Sequence, residues 1–189
     1  MNLEMTGRID TSGRRPPVIS NGALGMMLLI GSETILFGCF INAYLVLRMA
    51  STMWPPLNTP KLQIGLSGIN TAVIVLSSII AALAGWREKQ NASKSARALI
   101  DTTIGMGTLF FILQVVEFYQ LYAKGLTLKT GPYGAVFYTL IGCHALHVLG
   151  GLFFLALSVK LKTWAPHART YWTFVTAVWL VLFSILYIV

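Results

Sequence analysis

Cysteine is nearly absent: the 189-residue chain has two, Cys39 and Cys143, both inside apolar runs and without CxxC spacing. Neither a disulfide framework nor a thiolate metal site is indicated, and core packing is the expected role of both. Charge is scarce as well. Charged residues make up 11% of the chain and hydrophobic ones 56%, whereas soluble domains carry about 25% charged residues. Acids are the rarest of the charged groups, six against fourteen Lys and Arg, for a net charge of +8. In a soluble protein that excess would point to nucleic acid. Here the cations sit in short segments between apolar runs and form no continuous basic face, which argues against such a partner. The sequence also lacks a P-loop, a Gly-rich dinucleotide fingerprint and a Ser/His/Asp constellation, so no catalytic residue is assigned.

What the chain does have is long apolar runs. Five are long enough to cross a hydrocarbon core about 30 Å thick at a rise of about 1.5 Å per residue: Gly22 to Leu47, Leu62 to Trp86, Ala98 to Tyr122, Gly134 to Val159 and Tyr171 to Val189. The expectation is an all-α integral membrane protein, with residues 1–21 a polar tail and residues 22–189 a single five-helix domain. The first twenty residues, with Pro16 and Pro17, read as neither a cleavable signal peptide nor an amphipathic transit helix. Short connections favour antiparallel neighbours and hence a simple up-down bundle. No internal repeat is visible, and an odd number of spans is incompatible with two equal inverted halves.

Cations sort by side. Arg8, Arg14, Arg15, Arg87, Lys89, Lys94, Arg97, Lys160, Lys162 and Arg169 fall on one side of the expected spans, and Arg48, Lys61, Lys124 and Lys129 on the other. Cytoplasmic loops collect Lys and Arg, so the N-terminus is expected in the cytoplasm and the C-terminus outside. Trp54, Trp86 and Trp164 lie at span ends, where indoles favour the headgroup level. Small residues at Ser67, Gly68, Thr71, Gly105, Gly107, Gly142, Gly150 and Gly151 mark faces where helices can approach closely.

Polar residues within the spans are the candidate functional groups, because they are costly in lipid and usually face protein or a wet cavity. Glu33 lies about 16 Å into the first helix. An unpaired carboxylate there would be desolvated at several kcal/mol, so the neutral acid is expected. Holding helices or lipid, and handling protons, are both open roles for it. Glu117 lies about 9 Å from the outer end of the third helix, within reach of snorkelling or of a polar partner on the next helix. His144 and His147, three residues apart, are expected to share a face of the fourth helix, at a depth that overlaps Glu33. Two imidazoles on one face cannot ligate both sides of a haem. The remaining histidine, His167, is expected in a loop, so no metal site is assigned.

Four motifs carry a family resemblance. Ser32-Glu33-Thr-Ile-Leu-Phe-Gly resembles the Ser-Glu segment of haem-copper oxidase subunit III, and Gln114-Val-Val-Glu117-Phe118 is similar to its Gln-x-x-Glu-Tyr/Phe. Tyr133-Gly134-Ala-Val-Phe137-Tyr138 with Gly142-Cys-His144-Ala-Leu-His147-Val148-Leu-Gly150 resembles the family's Tyr-Gly-x-x-Phe-Phe and Gly-x-His-x-x-His-Val-x-x-Gly. Tyr171-Trp172-Thr-Phe174-Val175 matches the aromatic frame of its last helix, with Thr173 and Thr176 where the family usually has His and Asp. Longer members of the family have seven helices, and the chain resembles the short five-helix form that lacks the first two.

The resemblance implies an accessory subunit without a redox centre, in a respiratory terminal oxidase that takes electrons from cytochrome c or a quinol. Haem and copper are then expected in a partner, subunit I, with subunit II, a small subunit IV and phospholipid as further partners. The implied role is support of assembly, stability and proton uptake during oxygen reduction, in a bacterial plasma membrane. The two threonines imply a weakened polar link between the last helix and Glu33. Alternatives from other classes are a small self-contained transporter using Glu33 and Glu117, and an accessory protein of a nitric oxide reductase.

Overall fold

A computed structural model describes residues 20–56, 59–60, 62 and 64–188. The expected tail therefore lies outside the described residues, apart from its last two positions. The chain forms five long helices: α1 (Asn21–Ala50), α2 (Ile64–Lys89), α3 (Ser93–Ala123), α4 (Pro132–Lys160) and α5 (Ala165–Phe183). A 3-10 turn, Lys162–Trp164, precedes α5, and a π-helical turn, Ser184–Ile188, follows it. No strand occurs among the described residues, and all five helices are long and apolar enough to cross a membrane.

The helices outrun the apolar segments that announce them. α3 begins at Ser93 and takes in Lys94 and Arg97, while α5 begins at Ala165, which puts His167 and Arg169 on a helix instead of in a loop. Hydropathy marks only the part of a helix that lies in hydrocarbon, and polar turns in the headgroup layer continue the same backbone hydrogen bonding. The ends have local causes. The Ser20 hydroxyl caps α1 by accepting from Ala23 N at 3.2 Å, as N-cap serines do. Gly131, at φ 99°, turns the chain into Pro132 at the start of α4, a position where the missing N–H costs nothing.

The packing departs from a simple sequential bundle. α2, α3, α4 and α5 form a closed ring in which α2 meets α3 and α5, and α4 meets α3 and α5. α1 leans on α4 and α5 from outside this ring and is not a substantial neighbour of α2. Just after α1 the chain is pinned by Trp54, whose indole N–H donates to Tyr44 Oη at 3.1 Å and whose ring meets Tyr133 edge-on at 5.0 Å. Trp54 is thus a packing wedge, whereas Trp86 and Trp164 are 53% and 41% exposed at the opposite end.

Two tryptophans of α5 fill the ring. Trp172 and Trp179 are completely buried, and their indole N–H groups donate across the interior to Ser77 at 3.2 Å and Thr71 at 2.9 Å, both on α2. Of the small residues, Gly107 and Gly151 admit the Trp172 ring: a Cβ on either would approach it to 2.6 or 2.8 Å. Gly105 and Gly142 have nothing within 4 Å of such a Cβ and face outward. Cys39 is likewise exposed and not a core residue, while Cys143 is half-buried.

Candidate functional site

α2 places Ser67, Asn70, Ile74, Ser77, Ala81 and Ala84 on one buried stripe, at helical spacing. Its polar members seek partners, because an unbonded hydroxyl or amide inside a bundle is costly. They find them mostly on α3. Ser67 Oγ donates to Glu117 Oε1, Asn70 Nδ2 donates to the Phe110 carbonyl at 3.3 Å and to Gln114 Oε1 at 3.4 Å, and Ser77 Oγ donates to the Thr103 carbonyl at 3.1 Å. Glu117 is only 2% exposed. It does not snorkel, and its partner comes from the preceding helix instead of the next one. The Tyr187 hydroxyl, from the π-helical turn, lies beside the same carboxyl.

A second junction joins the other three helices. Glu33 of α1 accepts a hydrogen bond from Tyr171 Oη of α5 at 3.1 Å and faces His147 Nε2 of α4 at 3.6 Å. The other ring nitrogen, Nδ1, is 2.6 Å from the Cys143 carbonyl oxygen. A carbonyl can only accept, so Nδ1 carries a proton. In the neutral imidazole Nε2 is then the acceptor, and it is the ring atom that faces Glu33. The second carboxyl oxygen of Glu33 has no hydrogen-bond partner among the described residues.

His144 does not share this environment, although it is three residues from His147. It is completely buried between Trp179, stacked at 5.1 Å, and the edges of Phe37 and Phe110. The helical rotation between the two residues turns the His147 ring toward Glu33 and the His144 ring into the interior, with Phe37 of α1 edge-on to both. Neither His144 nitrogen has a partner among the described residues. The two imidazoles are thus not convergent, and no group of three His, Cys, Asp or Glu side chains able to hold a metal ion occurs among the described residues.

Of the four candidate residues, the structure brings Glu33 and His147 together, puts Glu117 in a separate cluster and isolates His144 among aromatic rings. Thr173 and Thr176 bond carbonyls of their own helix, those of Arg169 and Trp172, each at 3.0 Å. The polar link between α5 and Glu33 exists all the same, through Tyr171. Sequence reasoning took Tyr171 as part of an aromatic frame and Ser67 as a packing residue. The i, i+3, i+7 and i+10 placement of Ser67, Asn70, Ile74 and Ser77 was the available signal for a buried polar stripe.

The sequence of these helices matches the model of the family described as cytochrome c oxidase subunit III over residues 6–189. The chain belongs to this family. Among curated relatives, cytochrome c oxidase subunit 3 of Synechocystis sp. is 33% identical over 176 residues, 87% of this chain and 74% of that protein. A probable cytochrome c oxidase subunit 3 of Nocardia farcinica is 33% identical over 93% of this chain and 90% of its own length, and the Bacillus subtilis subunit 3 is 30% identical over 89% and 86%. These names give no support to the transporter or the nitric oxide reductase alternative. With five apolar spans and bacterial relatives in the subunit III family, the chain is a multi-pass protein of the bacterial plasma membrane.

Proposed function

We propose that the chain is the accessory subunit III of a respiratory haem-copper terminal oxidase, contributing helices and no redox centre. The observation that carries this reading is the subunit III match over residues 6–189. Subunit I is the proposed seat of haem and copper and the immediate neighbour, with subunit II and a small subunit IV completing the assembly. The two histidines of α4 do not suit a haem or copper ion: His144 is walled by aromatic rings, and His147 is committed to Glu33 and the Cys143 carbonyl.

The Glu33, His147 and Tyr171 junction is proposed to hold α1 against α4 and α5. It ties the peripheral helix to the ring, and its polar groups, with the Cys143 thiol 3.8 Å from His147 Nδ1, serve stability more than chemistry. Support of proton uptake is proposed to be indirect, through stabilising subunit I. Bound phospholipid belongs to the same picture.

The test is purification of the tagged chain in mild detergent, with an optical spectrum and mass spectrometry of what accompanies it. Haem absorbance and a larger many-helix partner are the expected result. A haem-free preparation that moves a solute across liposome membranes would overturn the reading.

A further inference from the structure

The end of the bundle where α1, α3 and α5 finish has a cavity of about 320 Å3, whose lining includes Arg48, Thr59, Ile64 and Tyr187. Two of these residues lead inward. Ile64 opens α2 three positions before Ser67, at the head of the buried polar stripe. Tyr187 is buried on the π-helical turn, and its hydroxyl lies beside Ser67, Gln114 and Glu117. The cavity thus stops one side chain short of the Glu117 cluster.

In that cluster Glu117 Oε2, Asn70 Oδ1 and Tyr187 Oη are buried without a hydrogen-bond partner among the described residues. The side chains that carry them belong to residues only 1–6% exposed. Neighbouring donors are already committed: Ser67 Oγ donates to Glu117 Oε1, and Asn70 Nδ2 donates to the Phe110 carbonyl and to Gln114 Oε1. What remains is an amide oxygen that can only accept, one carboxyl oxygen, and a hydroxyl that can donate or accept. A buried polar group left in this state carries its full desolvation cost.

We propose that Asn70, Glu117 and Tyr187 bind one water molecule that enters from this cavity, so that Glu117 is an acid hydrated from one end of the bundle and not a sealed one. Buried waters make about three hydrogen bonds to otherwise unsatisfied groups, and these three residues supply that number. The water donates to Asn70 Oδ1 and meets Glu117 and Tyr187 with its other proton and its lone pairs. A hard cation takes about six oxygens, more than the three left unpartnered here. Glu117 can then trade protons with solvent at that end, each proton lost from the carboxyl being replaced by one from the water. The site is built wholly from this chain, so the inference stands apart from the proposed role in an oxidase.

The test uses the full chain in its purified membrane complex and two measurements. In X-ray radiolysis a bound water yields hydroxyl radicals that oxidise the side chains beside it, and peptide mass spectrometry maps the products. Tyr187 is expected to be oxidised well above Tyr138, which is similarly buried but has its hydroxyl tied to the Leu126 carbonyl. Glu117→Gln keeps an acceptor at the site and should retain that signal, whereas Asn70→Leu/Glu117→Leu should bring Tyr187 down to the Tyr138 level. Infrared spectroscopy of the wild type needs no disruptive variant: the carboxyl C=O band, identified by its loss in Glu117→Gln, should shift in D2O before the core amides of α3 exchange. Thr59→Trp, in the cavity wall, should delay that shift. Tyr187 no more oxidised than Tyr138 in the wild type would overturn the water site in favour of a direct Tyr187–Glu117 contact. One sodium ion per chain, lost in Glu117→Gln, would overturn it in favour of a cation. A carboxyl band that is absent, that shifts only with the core amides, or that shifts at an unchanged rate in Thr59→Trp would overturn hydration from the cavity.

Discussion

Glu33 illustrates what a buried acid can do at the scale of one residue. Its carboxyl accepts from Tyr171 and faces His147, so Glu33→Gln can retain a carbonyl toward the tyrosine and offer an N–H to the imidazole. Assembly and oxidase turnover are expected to survive Glu33→Gln. Glu33→Ala leaves the tyrosine and histidine unpaired and should loosen attachment of the subunit by about 1 kcal/mol, with Tyr171→Phe costing about half as much. Subunit retention through graded detergent washes measures both. Intact complex with strongly reduced activity at high pH in Glu33→Gln would instead show proton relay. A second residue-scale expectation concerns His144 and His147, whose replacement by Gln should leave the haem and metal content of the complex unchanged, as metal analysis of purified complex would report. Stoichiometric loss of a metal from intact complex would refute it.

At the scale of the element, close approach depends on which face each glycine occupies. Gly107 of α3 and Gly151 of α4 both receive the Trp172 ring, whose N–H is tied to Ser77 and so has little freedom to move. Gly107→Ala and Gly151→Ala are each expected to destabilise by about 1–3 kcal/mol through overpacking. Gly105→Ala and Gly142→Ala face outward and should be neutral or slightly stabilising, since alanine favours helix by up to about 1 kcal/mol over glycine. Denaturation followed by circular dichroism separates the two pairs. The small residues were legible in the sequence, but which of them are filled was not, because that depends on the rotation of α5 and the placement of one indole.

For the whole molecule, the antiparallel course of the five helices puts the starts of α1, α3 and α5 at one end, together with most of the described Lys and Arg residues. The proposed orientation has that end in the cytoplasm. In a background where Cys39 and Cys143 are replaced, Asn91→Cys is expected to react with a membrane-impermeant maleimide only from the cytoplasmic side, and Lys129→Cys only from outside. The reverse pattern would invert the topology. The ring of α2 to α5 leaves α1 attached on one side only, with Met27, Leu28 and Ile35 at 61–70% exposure. The Glu33 junction is accordingly a polar tie that holds α1 to α4 and α5.

The sequence by itself determined that there would be five apolar helices, because apolar length against bilayer thickness is a property of the chain alone, and its motifs were sufficient to indicate the family. It also identified Glu33, Glu117, His144 and His147 as the polar residues needing partners. Who those partners are was decided by tertiary structure. Loop length suggested that α1 would pack on α2, yet the apolar and aromatic faces of α4 and α5 claim it, which brings Tyr171 to Glu33. The histidine pair separated because a helix turns by about 100° per residue, and only the positions of neighbouring helices decide what lies in each direction. Helix periodicity supplies candidate faces, while the identity of the group across each face is a long-range fact that no local pattern contains.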